Sequence, residues 1–190
     1  MKDIIEVEQK FRVEDHKPFV DKLPTDLAPT AFGQQTLEVD IYYQHPCKDY
    51  TKTDELLRIR NWREIIYKGP KIHADAKARL EYTWSADDGQ LFLETLGFTK
   101  LIEVHKGRTT GKWACQKDGM AYTVTIALDK IAGLGNFIEI EIVTDKKNLN
   151  FAVDRVNEIA KSLGLEDRES KSYCELMLEK KCPPPQTSQD

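Results

Sequence analysis

The amino-acid sequence predicts an α+β protein whose centre is an antiparallel eight-stranded β-barrel, closed or nearly closed, with helices packed outside it. Three observations lead there. Apolar and polar residues alternate with period two through most of the middle of the chain. Helical patterns sit only at the margins of that strand-rich centre. Turn signals such as Lys117-Asp118-Gly119 separate the alternating runs. Strands gathered in the middle with helices at the edges are the pattern of an α+β domain built on a curled sheet.

Taken in order, strands are expected at residues 5–13, 36–43, 57–61, 64–68, 79–84, 101–108, 121–129 and 137–143. A short helical pattern covers residues 18 to about 22. A second spans 85–96, with Ser85 as its cap and Gly97 just past its end. The third, from about 149 to 163, places Phe151, Val156, Ile159, Ala160 and Leu163 on one stripe and stops at Gly164. A shorter helix follows at 172–180. Without an internal repeat or a low-complexity linker, one domain is expected over residues 1–182, with a disordered tail at 183–190.

The chain has 190 residues, 40% of them hydrophobic, which suffices for a substantial core. Its formal net charge of −4 argues against a surface devoted to nucleic acid or anionic lipid. Cys47, Cys115, Cys174 and Cys182 form no CxxC pair, so neither a zinc ribbon nor a dithiol redox motif is indicated. The charged N-terminus lacks a signal-peptide core, and no apolar run is long enough to span a bilayer. A reducing, cytoplasmic setting is the expectation, with no membrane and no nucleic-acid partner.

Chemistry resides in the residues that alternate with the apolar ones. Ile5, Val7, Phe11 and Val13 share one parity, and Glu6, Glu8, Lys10 and Arg12 the other. The pattern recurs with Arg58 and Arg60, with Arg79 and Glu81, and with Glu139 and Glu141. Lys106 and Arg108 also share a parity, but with apolar Ile102 and Val104. A solvated sheet face would tend to mix signs within a strand; here the signs are partly segregated. Glu6 and Glu8 stand ~7 Å apart along a strand face, as do Glu139 and Glu141. Shielded from water, each pair repels by ~2 kcal/mol at an effective dielectric of 20, which calls for a cation or a proton. Carboxylates with no His or Cys beside them suit Mg²⁺ or Mn²⁺ better than zinc. The neighbouring Arg and Lys need an anion, and a polyphosphate bridged by the metal satisfies both populations.

The stretch Glu6-Val7-Glu8-Gln9-Lys10 resembles the ExExK signature of the CYTH superfamily, the triphosphate tunnel metalloenzymes. Its companions strengthen the likeness: Asp40-Ile41-Tyr42-Tyr43, Leu57-Arg58-Ile59-Arg60, Tyr67-Lys68-Gly69-Pro70, Ala78-Arg79-Leu80-Glu81, Val104-His105-Lys106-Gly107-Arg108, Leu128-Asp129 and Ile138-Glu139-Ile140-Glu141 follow in the family's order. Ser172-Tyr173-Cys174-Glu175-Leu176 resembles its ending, so the similarity runs over roughly residues 3–178, nearest to the class IV adenylyl cyclase branch. The resemblance implies that Glu6, Glu8, Asp129, Glu139 and Glu141 hold Mg²⁺ or Mn²⁺. It assigns phosphate binding to Lys10, Arg58, Arg60, Lys68, Arg79, Lys106 and Arg108, and makes Glu6, Glu8 and Lys10 the catalytic signature. Thr83 stands where the family often has a further acid.

The implied activity is conversion of ATP to cyclic AMP and pyrophosphate. The alternatives are a triphosphatase acting on inorganic triphosphate, thiamine triphosphate or a nucleotide, and a module that binds triphosphates without turnover. The family admits a homodimer. Among the remaining motifs, Gly133-x-Gly135 precedes a strand and reads as a tight turn, not a dinucleotide fingerprint. His16, His45, His73 and His105 lack metal or triad spacing, and Trp62, Trp84 and Trp113 read as packing residues.

Overall fold

The structure, a computed structural model, describes residues 4–23, 32–73 and 77–181, so the expected tail at 183–190 lies outside the described residues. Eight strands form: β1 (Ile5–Val13), β2 (Thr36–Gln44), β3 (Leu56–Arg60), β4 (Glu64–Lys68), β5 (Lys77–Ser85), β6 (Thr99–Lys117), β7 (Met120–Ile131) and β8 (Gly135–Thr144). Every pairing is antiparallel, in the order β1-β5-β4-β3-β2-β6-β7-β8, and β1 also pairs with β8. The sheet therefore closes in a ring, as the alternation predicted.

The strongest departure from expectation is β6, which runs to Lys117 rather than stopping at residue 108. Its second half pairs with β7 as far as Lys117 opposite Met120. Gly111 is needed there because the Trp113 ring folds back over it. A Cβ at that position would lie 2.2 Å from Trp113 Cη2. Gly133 and Gly135, at φ 80° and 100°, make the expected tight turn between β7 and β8.

Five helices accompany the ring among the described residues: α1 (Lys17–Val20), α2 (Tyr50–Thr53), α3 (Gly89–Thr95), α4 (Leu149–Leu163) and α5 (Tyr173–Lys181). None is long and apolar enough to cross a membrane. Helix α3 starts four residues after Ser85, which ends β5 instead of capping a helix; Asp88 takes the cap position. Helix α2 carries no apolar stripe and was not expected. Its local signal is Asp49, whose carboxylate accepts from the Thr51 amide at 3.1 Å.

On the outside of the ring, α4 lays Ala152, Val153, Val156, Ile159, Ala160 and Leu163 over Ile5, Val7, Ile138, Ile140 and Ile142 of β1 and β8. This one apolar contact orients β1 and β8, because a one-residue slip would turn every side chain to the other face. The glutamates and lysine that alternate with those residues must then point into the ring. Trp113 is buried as expected, but Trp62 and Trp84 are half exposed. Trp62 stands in the β3–β4 turn at positive φ, and Trp84 lies outside the ring stacked on Tyr82.

Helix α5 closes one end. Beyond Glu8, β1 has no β5 residue beside it. The backbone of residues 167–169 takes that edge, with Arg12 N donating to Asp167 O at 2.9 Å and Glu169 N to Lys10 O at 2.8 Å. This strap delivers α5 against Tyr42, Ile102, Val104, Ile131 and Phe137, where Tyr173, Cys174 and Leu176 pack. The shared parity of Ile102, Val104, Lys106 and Arg108 is thereby explained. All four face inward, the first two toward the helix and the last two toward the space above it.

Ile140 is fully buried between β8 and α4. Ile140→Ala is expected to lower the unfolding free energy by about 2–5 kcal/mol through lost burial and a residual cavity. A urea titration followed by circular dichroism measures this, and a loss under about 1 kcal/mol would contradict the packing described.

Candidate functional site: a charged cavity inside the ring

The inward rows meet in one cavity of about 120 Å³. Eight basic side chains line it: Lys10, Arg58, Arg60, Lys68, Lys77, Arg79, Lys106 and Arg108. Five glutamates join them, Glu6, Glu8, Glu81, Glu139 and Glu141, so the lining carries a formal excess of positive charge. Strand register explains the convergence. Glu6 lies opposite Arg79, Glu8 opposite both Lys77 and Glu141, and Lys10 opposite Glu139.

The carboxylates gather around Lys68. Its Nζ contacts Glu6 Oε2, reaches Glu81 Oε2 at 2.8 Å and stands 3.6 Å from Glu8 Oε2. Burial lifts the Glu6 carboxyl well above the usual range despite Lys68, with Glu8 and Glu81 adding repulsion. Burial likewise raises Glu141, whose carboxyl shares a hydrogen bond with Glu6. On the other side burial would raise Glu139, but Arg108 and then Lys10 outweigh it and hold this carboxylate below its ordinary range. Part of the acidic group is therefore short of positive charge, and part is fully compensated.

The basic wall is held from behind. Asp40 is fully buried and accepts from Arg60 Nε at 2.8 Å and Arg60 Nη2 at 3.1 Å, with Arg58 Nη1 at 3.2 Å and Lys106 Nζ at 3.5 Å. Glu38 adds contacts to Arg60 at 3.1 Å and Lys106 at 2.9 Å. Asp129, also fully buried, accepts Arg108 Nε at 2.7 Å and Nη2 at 2.5 Å. Asp40, Glu38 and Asp129 do not line the cavity. The Nε atoms of Arg58 and Arg79, which both line it, are buried without a hydrogen-bond partner.

Of the residues singled out in the sequence, Glu6, Glu8, Lys10, Arg58, Arg60, Lys68, Arg79, Lys106, Arg108, Glu139 and Glu141 all face this cavity. Of the residues expected to bind metal or phosphate, Asp129 is the one that does not line it. Lys77 was missed because the strand was expected to begin at residue 79; extending the Arg79 and Glu81 parity two residues back would have found it. Glu38 and Asp40 were legible as charges on one face of β2, but nothing in one strand announces that its acids serve the arginines of the next.

A carboxylate-only donor set fits a hard divalent cation, and the raised Glu6 and Glu141 carboxyls mark where positive charge is missing. Among the described residues, no three acid, His or Cys side chains already form a compact metal-binding group. The two unpartnered guanidinium nitrogens fit an anion.

The CYTH domain family model matches residues 4–173. The chain is 31% identical over 183 residues to a Methanocaldococcus jannaschii protein named "Putative adenylate cyclase MJ0240", covering 91% of this chain and 98% of that one. It is 28% identical to "Adenylate cyclase CyaB" of Aeromonas hydrophila, covering 91% of this chain and 90% of that one. The solved structure of the PH1819 protein from Pyrococcus horikoshii OT3 superposes with a TM-score of 0.74 at 39% identity, over 92% of this chain and 99% of that one.

Burial lowers the Lys77 ammonium to about 7, with Lys10 adding repulsion. Burial and Arg108 lower Lys106 to about 8. Both lie below the ordinary lysine value, so between about pH 7 and pH 10 the unfolded chain binds more protons than the folded one. Their destabilising effect is full below pH 7 and is relieved as pH rises. Lys77→Met is therefore expected to flatten the rise of unfolding free energy between pH 7 and pH 9, measured by urea titrations of both proteins. An unchanged slope would show that Lys77 carries an ordinary charge.

Proposed function

The chain belongs to the CYTH domain family, and from that membership we propose that it is a metal-dependent enzyme acting on a triphosphate, converting ATP to cyclic AMP and pyrophosphate. One observation carries the reading: a single cavity inside the ring is lined by eight basic side chains together with five glutamates. A bare anion binder needs only the first group. The glutamates add a place for the divalent cation that accompanies a triphosphate in water.

In this reading Glu6, Glu8, Glu139 and Glu141 hold Mg²⁺ or Mn²⁺, with Glu81 beside them. A bound ion of that kind supplies charge neutralisation and lowers the pKa of the attacking ribose 3′-hydroxyl. Arg58, Arg60 and Arg108 present guanidinium forks to phosphate oxygens, and Lys10, Lys77 and Lys106 add point charges. Because Asp40, Glu38 and Asp129 already fix the forks, little reorganisation is needed when charge develops on the departing pyrophosphate. Asp129 acts here as the anchor of Arg108, since that guanidinium and Tyr173 take both of its oxygens. Lys68 then serves two ends, neutralising Glu6, Glu8 and Glu81 and turning to phosphate when a metal takes its place. Phosphoryl chemistry of this kind demands placement more than covalent help.

A second reading, hydrolysis of inorganic triphosphate or thiamine triphosphate, draws on the composition of the lining. Only Tyr42, Leu56, Ser172 and Tyr173 are uncharged there, so the cavity addresses the triphosphate far more than any organic group attached to it.

The purified protein, given Mg²⁺ or Mn²⁺ with ATP, inorganic triphosphate or thiamine triphosphate, is expected to yield cyclic AMP from ATP. Phosphate release without cyclic AMP would shift the assignment to a triphosphatase. Binding of all three without turnover would leave a triphosphate-binding module. Glu8→Ala and Lys10→Ala are each expected to cut turnover by roughly 10²–10³-fold, as removal of a preorganised charge does, with an unchanged circular dichroism spectrum. Wild-type rates in both variants would refute the site.

A further inference from the structure

Tyr173 opens α5 and is 4% exposed. Its ring lies 4.2 Å from Lys10 Nζ and 6.0 Å from Lys106 Nζ, within cation–π reach of both. The same ring packs edge-on against Phe137, with centroids 5.1 Å apart. Its hydroxyl donates to Asp129 Oδ2 at 2.8 Å, the carboxylate that grips Arg108. Two residues earlier, the Lys171 carbonyl accepts Lys10 Nζ. One side chain thus touches two cations of the cavity and reaches a third through a buried acid.

Docking α5 on Ile102, Val104 and Phe137 asks only for an apolar side chain, as the neighbouring Leu176 illustrates. The hydroxyl and the lysine contacts go further. A ring face attracts an ammonium without taking up its N–H donors. Lys10 is held in place this way while keeping donors for phosphate oxygens, whereas a carboxylate at the same spot would compete with the phosphate.

We propose that Tyr173 is a positioning residue that sets Lys10, Lys106 and Arg108 for the triphosphate, so that docking of the C-terminal helix assembles the cationic half of the site. The proposal rests on the triphosphate reading above. Without the hydroxyl, Asp129 Oδ2 keeps Arg108 Nη2 as its one remaining donor, and the carboxylate that anchors Arg108 is held less firmly. Without the ring, Lys10 and Lys106 lose the surface that orders them.

The test titrates inorganic triphosphate with Mg²⁺ into the full chain by calorimetry. Tyr173→Phe should weaken binding about 10-fold, or ~1.4 kcal/mol, and Tyr173→Leu by about 100-fold on the same scale. The control is Tyr122→Phe, whose hydroxyl accepts Arg155 Nε at 2.9 Å and does not line the cavity; it should lower the melting temperature without weakening binding. A Tyr173→Phe/Asp129→Asn double variant should lose less than the sum of its single losses, because the two act through one contact. Wild-type chain that fails to bind overturns both this proposal and the triphosphate reading. Wild-type binding matched by Tyr173→Phe and Tyr173→Leu, equal weakening in Tyr122→Phe, or strict additivity in the double variant overturns this proposal alone. Should Tyr173→Leu not fold, Tyr173→Phe and the double variant decide.

Discussion

Taking a guanidinium or ammonium out of water costs several kcal/mol unless an anion meets it, and this chain does so repeatedly around one cavity. Its answer is a second layer of acids. Asp40 bridges Arg58, Arg60 and Lys106, and Asp129 clamps Arg108, each from a fully buried position outside the lining. The cations are thereby both tolerated and fixed in direction. Removal of either aspartate would leave a buried charge uncompensated, the costly way to break such a pair. Burial still pulls Lys77 down to about 7, and Lys106 to about 8 despite its contacts with Asp40 and Glu38.

The acidic patch follows the opposite logic. Glu6, Glu81 and Glu141 crowd together with Lys68 as their main counter-ion, and burial pushes Glu6 and Glu141 toward the protonated form. These two carboxyls are short of positive charge. The basic wall is compensated in advance, and the acidic patch is not.

Closure of the ring makes both arrangements possible. β1 is the strand that pairs at both ends of the sheet order, and its outer face is set by α4 through Ile5, Val7 and their β8 partners. Where β5 no longer accompanies it, residues 167–169 take over the edge. That seam carries α5 to the end of the cavity, so side chains from opposite ends of the chain, Lys10 and Tyr173, meet over the site. The packing of a peripheral helix and the geometry of the charged interior are thus parts of one structure.

Period-two alternation is a local property of a strand, which is why the eight strands, the facing of Glu6, Glu8, Lys10, Arg58, Arg60, Glu139 and Glu141, and the α4 stripe could all be read from the chain alone. The same locality explains the omissions. The strand expected to end at residue 108 runs on through Thr109-Thr110-Gly111 to Lys117, because β7 pairs with it throughout and the Trp113 ring packs over Gly111. Half-exposed Trp62 and Trp84 could not be told from core residues without knowing which face was covered. What only the tertiary structure decided is which acid answers which base: that Asp129 and Asp40 stand behind the wall, that Lys77 joins it, and that Ile102 and Val104 face inward to meet α5. Those outcomes depend on cross-strand register and on ring closure, the latter pairing residues as distant in the chain as Glu8 and Glu141, and they leave no mark on any single strand.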